Sequence, residues 1–254
     1  MALQAFIAFT AAATVSAGAW RLGALDRDGA IAGTAVGTVV FGLGGLSAAV
    51  ILVFFFVSSS ALSALPGGNE RSRRGARQVV ANGSVAAVAA ALIPLHPAAV
   101  LGFLGALAAA TADTWATEIG VRSGATPRSI LTFEPQPPGT SGAISLPGTV
   151  GSAAGAFAVG SAGAWLLPGG DFRLALVVAL AGLVGSLFDS ALGAGLQAVY
   201  KCAECGATPE VANHADCPAA AARVAGLPGL DNDAVNGLAT LVGSFVCFLA
   251  WVLL

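Results

Sequence analysis

Three acidic side chains lie within stretches of the sequence that are otherwise apolar. Asp113 and Glu118 belong to one such stretch, and Asp189 belongs to another. Unpaired buried carboxylates repel one another and shift towards protonation, so these acids need either hydrogen-bonding neighbours or a cation. Mg²⁺ prefers carboxylate oxygens and usually keeps waters and substrate phosphates as its other ligands. The acids therefore favour a divalent-cation site of this kind.

Helical spacing separates Asp113 from Glu118. The two residues are five positions apart, which places them about 140° apart around a helix of about 3.6 residues per turn. A single ion cannot bind both directly unless the end of the helix is distorted. We therefore predict that Glu118 acts on the ion through a neighbouring group or binds a second ion.

Polar side chains also lead into two other apolar stretches. Asn82 lies near the start of the fourth stretch. Four residues precede or open the last one: Asp231, Asn232, Asp233 and Asn236. The stretches that carry Asp113 and Asp189 run towards one side of the membrane. The fourth and the last stretch start from that same side. We therefore expect four membrane helices and the long loops to converge on one shallow polar pocket.

Two loops on the same side carry groups suited to phosphate. Loop 66–77 contains Arg71, Arg73, Arg74 and Arg77. These arginines serve either as a topology signal that attracts lipid head groups or as phosphate ligands, for which the guanidinium fork is suited. Loop 121–143 contains Gly139, Thr140, Ser141 and Gly142. Such a segment before a helix forms either an anion-binding backbone nest or an ordinary turn and N-cap.

A third loop, residues 200–233, contains a group of metal-binding side chains. Cys202 and Cys205 are followed by His214 and Cys217. Three thiols and one imidazole form a tetrahedral zinc set, and a cytoplasmic location argues against a disulfide. The loop predicts either a structural zinc site or reduced thiols and a histidine that serve the pocket directly.

The composition indicates that a membrane surrounds the helices that position these groups. Of 254 residues, 56% are hydrophobic and 9% are charged, whereas a soluble domain has about 25% charged residues. A soluble enzyme, a disordered regulator and a basic nucleic-acid binder are excluded. We predict an all-α fold, a polytopic transmembrane helix bundle that forms one domain over residues 1–254. Eight spans are expected, near 2–20, 29–44, 47–65, 78–94, 97–120, 144–167, 172–199 and 234–254.

The span count and the basic residues predict the orientation. The second span is short and rich in glycine, so it forms a broken or re-entrant pair with the third. Eight spans place both termini on one side and every long loop on the other. Ten of the eleven basic residues lie in or beside those loops, with Arg173 opposite. The positive-inside rule makes the long loops cytoplasmic, in a multi-pass protein of the inner cell membrane.

The motifs occur together in one family. They are Gln78–Gly83, Ala112–Gly120, Pro138–Gly142, Gly185–Gln197, the cysteine loop, and Asn232-Asp233 with Asn236. In this set the chain resembles a family of integral membrane proteins that includes the plant and cyanobacterial phytyl-phosphate kinases. The resemblance covers nearly the whole chain. It implies transfer of the γ-phosphoryl group of a nucleoside triphosphate, with CTP favoured, to an isoprenyl monophosphate.

The implied reaction assigns roles to the polar residues. Phosphoryl transfer depends on positioning and charge stabilisation, and the acceptor phosphate is already largely anionic, so no strong base is required. We expect Mg²⁺ on Asp113, Asp189 and Asp233, with Glu118 assisting. The expected phosphate and nucleotide ligands are Asn82, Arg74, Arg77, Gly139, Thr140, Ser141, Gly142, Gln197, Asn232 and Asn236. The isoprenyl tail would lie in the bilayer between spans.

Two other functions stay open at this point. A secondary transporter would use the intramembrane acids to bind cations or protons, although transporter sites usually lie near the bilayer midplane. A CDP-lipid synthase would share the magnesium and nucleotide pocket with a kinase.

Overall fold

Residues 2–67, 73–206 and 217–253 are described in a computed structural model of the chain. Within them lie seven helices: α1 (Ala2–Arg21), α2 (Arg27–Ser63), α3 (Ala76–Leu92), α4 (Ala99–Arg122), α5 (Leu146–Leu166), α6 (Phe172–Gly195) and α7 (Asn232–Leu253). Helices α1, α2, α4, α6 and α7 are long and apolar enough to cross a membrane. The predicted transmembrane helix bundle is confirmed.

Helix α2 is a hairpin. Gly45 interrupts it with a φ of +81°, a conformation that glycine adopts without steric cost. Arg74 touches both ends of α2, because its carbonyl lies against Gly29 and its guanidinium donates to the Ser60 hydroxyl at 3.3 Å. A straight helix would place Gly29 and Ser60 about 46 Å apart, so the chain reverses at Gly45. The two arms match the spans predicted at 29–44 and 47–65.

Helix α4 lies at the centre of the bundle, in contact with α3, α5, α6 and α7. Every residue from 101 to 112 is buried. Small residues allow this packing: a Cβ on Gly105 would overlap the Gly243 carbonyl group of α7, and Gly182 of α6 lies against Ala108. Membrane helices approach closely through such small residues. The central helix that carries Asp113 is therefore held rigidly from several sides.

The helix ends define two faces of the bundle. Helices α4 and α6 end, and α3, α5 and α7 begin, around one cavity. We call this face the loop side, because the loops that precede α3, α5 and α7 lie there. The other face holds the reversal of α2, where Ser47 donates a hydrogen bond to the Leu166 carbonyl group at 2.9 Å.

Two small antiparallel sheets lie in the loops. They pair β1 (Arg128–Ser129) with β2 (Ala143–Ile144) and β3 (Val199–Lys201) with β4 (Ala222–Ala225). The all-α prediction omits them, because strands of two to four residues are too short to show periodicity. The span predicted at 172–199 is too long, because the short strand β3 was not recognised: α6 ends at Gly195 and β3 follows.

Candidate active site

A cavity of about 500 Å³ opens at the loop side of the bundle. The ends of α4 and α6, the first turns of α3, α5 and α7, and the loop before α5 all line it. The structure brings thirteen of the fourteen predicted pocket residues to this cavity: Arg74, Arg77, Asn82, Asp113, Glu118, Gly139, Thr140, Ser141, Gly142, Asp189, Asn232, Asp233 and Asn236. Gln197 is the exception.

Asp113 and Asp189 face the cavity from two neighbouring helices. Asp113 lies about 14 Å from the end of α4, and Asp189 lies about 9 Å from the end of α6. Their negative charges repel each other, and Asp189 Oδ2 is buried with no hydrogen-bond partner in the described part of the chain. A buried charge without a partner is costly, so the two carboxylates fit a shared cation.

Glu118 is held by other side chains at the edge of the cavity. It accepts a hydrogen bond from Ser63 at 2.6 Å and forms an ion pair with Arg122 at 2.5 Å. Arg122 also donates to the carbonyl groups of Leu65 and Pro66. Glu118 therefore connects the end of α4 to the chain that follows α2. This geometry fits the indirect role predicted for Glu118 better than direct binding of an ion.

Asp233 lies beside an arginine at the mouth of the cavity. Arg77 forms ion pairs with Asp231 and, at 3.4 Å, with Asp233. Asp231 caps α7 by accepting a hydrogen bond from the Ala234 N–H at 3.1 Å. Burial raises the pKa of Asp231, but the Ala234 hydrogen bond and the Arg77 charge together lower it below its ordinary value. Asp233 can bind a metal ion only in competition with Arg77.

Three helix N-termini open into the cavity. They belong to α3, α5 and α7, and α5 is capped by Ser145, which accepts a hydrogen bond from the Gly148 N–H at 3.2 Å. A helix N-terminus carries partial positive charge and free N–H groups, so it favours anions such as phosphate. The cavity therefore combines two carboxylates that suit a cation with helix N-termini that suit an anion.

The loop before α5 packs against the end of α6. Gly142 has a φ of +75°, and a Cβ there would overlap the Ala194 backbone nitrogen, so glycine is required. The Gln197 side-chain amide donates to the Ser141 hydroxyl at 3.1 Å. Gln197 does not line the cavity, so its position does not support direct substrate binding. It supports the loop that presents Thr140 and Ser141.

Backbone hydrogen bonds hold Arg74 in place, and its side chain is partly buried. Its N–H donates to the Ala24 carbonyl group, and its own carbonyl group accepts from the Asp26 N–H. Its guanidinium lies 5.9 Å from the centre of the Phe56 ring. Burial lowers the pKa of Arg74, and the charge of Glu118 partly offsets this effect. No described carboxylate lies within ion-pair distance of Arg74, so its charge is available to an anionic ligand.

Several small polar residues that were not among the predicted site residues also line the cavity. Ser145, Thr149 and Ser152 come from α5, and Ser186 and Ser190 come from α6. Ser152 Oγ is buried and has no hydrogen-bond partner among the described residues. The spacing of Ser145, Thr149 and Ser152, at i, i+4 and i+7, was the available signal, since it places them on one face of a helix.

Three of the four predicted zinc ligands lie together. The sulfur atoms of Cys202, Cys205 and Cys217 lie within 4.8 Å of one another, and those of Cys202 and Cys217 are 3.9 Å apart. Thiolates on a tetrahedral Zn²⁺ with bonds of about 2.3 Å are about 3.8 Å apart, so the group fits zinc. His214, the fourth predicted ligand, and Arg71 of the basic loop lie outside the described residues.

The geometry defines a class of protein: a multi-pass membrane helix bundle with a polar cavity at one end. Within that class, the chain belongs to the integral membrane protein family DUF92, which it matches over residues 10–244. The family resemblance inferred from the motifs is thereby confirmed. No solved structure matches the chain.

Three relatives illustrate the breadth of the similarity. Protein PGR of Arabidopsis thaliana is 32% identical over 90% of this chain and 89% of its own length. The uncharacterized membrane protein MJ0933 of Methanocaldococcus jannaschii is 32% identical over 67% of this chain and 74% of its own length. Protein VTE6, chloroplastic, of Arabidopsis thaliana is 28% identical over 68% of this chain and 56% of its own length.

Proposed function

We propose that the protein is a membrane phosphotransferase that converts an isoprenyl monophosphate to the diphosphate, with CTP as the favoured phosphoryl donor. The observation that carries this proposal is the cavity lined by Asp113, Asp189, three helix N-termini and Arg74, in which one buried oxygen of Asp189 has no hydrogen-bond partner among the described residues. Such a site suits a metal-bound triphosphate and a second phosphate. The family resemblance to phytyl-phosphate kinases supports the same reaction.

The fit to a metal ion rests on the carboxylates. Asp113 and Asp189 would hold Mg²⁺, and Asp233 would reach it from the mouth when released from Arg77. The ion would neutralise charge on the donor phosphates during transfer. Without it, the two buried carboxylates would repel both each other and the nucleotide.

The remaining residues would position the two substrates. Thr140, Ser141 and the N-terminus of α5 would bind the donor phosphates, and Arg74 and Asn82 would bind the acceptor phosphate. An acceptor oxygen attacks the γ-phosphorus as the bond from that phosphorus to the β-phosphate oxygen breaks. The nucleoside diphosphate leaves with that oxygen and its negative charge. Because the acceptor is already anionic near neutral pH, no side chain has to remove a proton.

We also propose an orientation and a second metal. The loop side would face the cytoplasm, where nucleoside triphosphates are available, in an inner-membrane protein. The group of Cys202, Cys205 and Cys217 would bind a structural Zn²⁺, with His214 completing the set. Metal analysis of the purified protein should find about one zinc per chain, lost in Cys202→Ser and retained in Cys247→Ala, whose buried cysteine lies in α7. Equal zinc in both variants would contradict this site.

The test of the reaction uses the purified full chain in lipid vesicles. It receives Mg²⁺, γ-labelled CTP and geranylgeranyl monophosphate, and the labelled prenyl diphosphate is measured. We expect product from the wild type and from Asp28→Asn, which removes an exposed acid that is not among the residues lining the cavity. We expect none from Asp113→Asn or Asp189→Asn. Release of pyrophosphate with a CDP-linked lipid would favour a synthase, and cation-coupled uptake without transfer would favour a transporter.

A further inference from the structure

A second cavity, of about 420 Å³, lies between α1, the two arms of α2 and the start of α3. Its walls are almost entirely apolar, and we call it the apolar groove. Representative lining residues are Val15, Val36, Phe41, Ala49, Val53 and Phe56. Val15 and Val53 are also exposed at the bundle surface, which is the surface that lipid chains contact. The groove therefore opens sideways towards the bilayer.

The apolar groove meets the polar cavity at three residues. Arg74, Gln78 and Asn82 line both. Arg74 places its guanidinium near the Phe56 ring, a wall of the groove, while no described carboxylate pairs with it. A buried cation at the boundary between an apolar and a polar space suits a molecule with a hydrocarbon chain and an anionic head.

We propose that the apolar groove binds the hydrocarbon tail of the prenyl phosphate, so that its phosphate lies at Arg74 and Asn82 and points into the polar cavity. This inference rests on the proposed function and adds the tail site to it. The occupant assigned to the groove is a lipid phosphate, because its apolar walls and the polar cavity share these three polar lining residues. An ordinary membrane lipid is the competing occupant.

The length of the apolar groove determines how many isoprene units of the tail it can hold. Its lining on the second arm of α2 runs from Leu46 to Phe56, which is about 15 Å of helix. An extended prenyl chain with C–C bonds of about 1.5 Å covers about 5 Å per isoprene unit. About three units would therefore lie in the groove, and a longer tail would extend into the bilayer through the open side.

The first experiment compares substrates that share a phosphate and differ in their tails. Val53→Trp fills the groove, and Val57→Trp places the same ring one turn further along the same arm, at an exposed position outside the groove lining. We expect Val53→Trp to lower kcat/KM for geranylgeranyl monophosphate about tenfold, the effect of losing about 1.4 kcal/mol of apolar contact. For dimethylallyl monophosphate, whose single isoprene unit reaches only the end of the groove, Val53→Trp should leave kcat/KM at the wild-type value. The control Val57→Trp should match the wild type with both substrates.

The outcomes separate the inference from the proposed function. Equal losses for both substrates, or no loss for either, would overturn the groove assignment while leaving the kinase reaction intact. If the wild type forms no diphosphate, a second measurement still tests the groove: photo-crosslinking with a diazirine-labelled geranylgeranyl monophosphate. We expect crosslinks on α1 and α2 that unlabelled geranylgeranyl monophosphate displaces and Val53→Trp weakens. Equal displacement by phosphatidic acid would show that the groove holds membrane lipid in general.

Discussion

The acidic residues in and beside the cavity fall into two groups that differ in their partners. The inner acids, Asp113 and Asp189, lie on α4 and α6. Among the described residues they form no ion pair with arginine, and one oxygen of Asp189 has no hydrogen-bond partner. The outer acids are each paired with arginine: Glu118 with Arg122, and Asp231 and Asp233 with Arg77.

This difference indicates which carboxylates hold the structure together and which are kept for a ligand. A protein gains no stability from a pair of buried like charges, whereas a paired acid can connect two segments. The inner acids are therefore the strongest candidates for function, and the outer acids are candidates for positioning. Removing an inner acid should therefore affect catalysis, and removing the partner of an outer acid should affect stability.

The largest effect is expected at the inner acids. Asp189→Asn should lower kcat/KM at least about 100-fold, equivalent to about 2.7 kcal/mol of transition-state stabilisation, because it removes a proposed metal ligand. The same change should leave the thermal unfolding midpoint unchanged or raise it, because a buried charge without a partner is removed. Activity and unfolding are measured on the same vesicle preparation. A large loss of both activity and stability would instead place Asp189 with the outer acids.

The next largest effect is expected at Glu118 and Arg122, where stability should be lost. Arg122→Met leaves the Glu118 carboxylate in place without its ion pair, in a site where both side chains are mostly buried. We expect a loss of about 2–4 kcal/mol in the free energy of unfolding, measured by denaturant titration in detergent. Adding Glu118→Gln to Arg122→Met should recover most of that loss. If the single variant is as stable as the wild type, the pair does not connect α4 to α2.

The sequence predicts the long helices and the acids of the cavity better than it predicts the partners of individual side chains. The long apolar stretches identify the bundle and its loop side, and intramembrane acids are rare enough to identify the cavity floor. The contact between Arg77 and Asp231 was not predicted, because it joins residues 154 positions apart. The pair of Glu118 and Arg122 was also not predicted, although its i,i+4 spacing on one helix could have indicated it. Nor did the pattern show that Gln197 supports a loop from behind the cavity wall.

The α5 serines show a different limit. The spacing of Ser152 from Ser145 and Thr149 places the three on one helix face, but it does not show that Ser152 Oγ lacks a hydrogen-bond partner among the described residues. The strands β1 to β4 were omitted because they are short. Sequence patterns thus predict which helices meet at the cavity, whereas local partners follow from the three-dimensional packing.

The smallest effect is expected at Arg77, where the ion pairs are exposed to solvent. Its side chain is 66% exposed, and exposed pairs contribute about 0.2–1 kcal/mol, so Arg77→Ala should reduce the free energy of unfolding by no more than that.

The stability contributed by the pair of Arg77 and Asp231 should also depend on pH. Because the pKa of Asp231 is lowered in the folded protein, its stabilising effect is present above its unfolded pKa and is lost as the pH falls through the lower folded value. The difference between wild type and Arg77→Ala should therefore shrink in acid. If Arg77→Ala instead abolishes phosphoryl transfer at neutral pH without affecting stability, then Arg77 contacts a substrate, and its pairing with the outer acids is secondary.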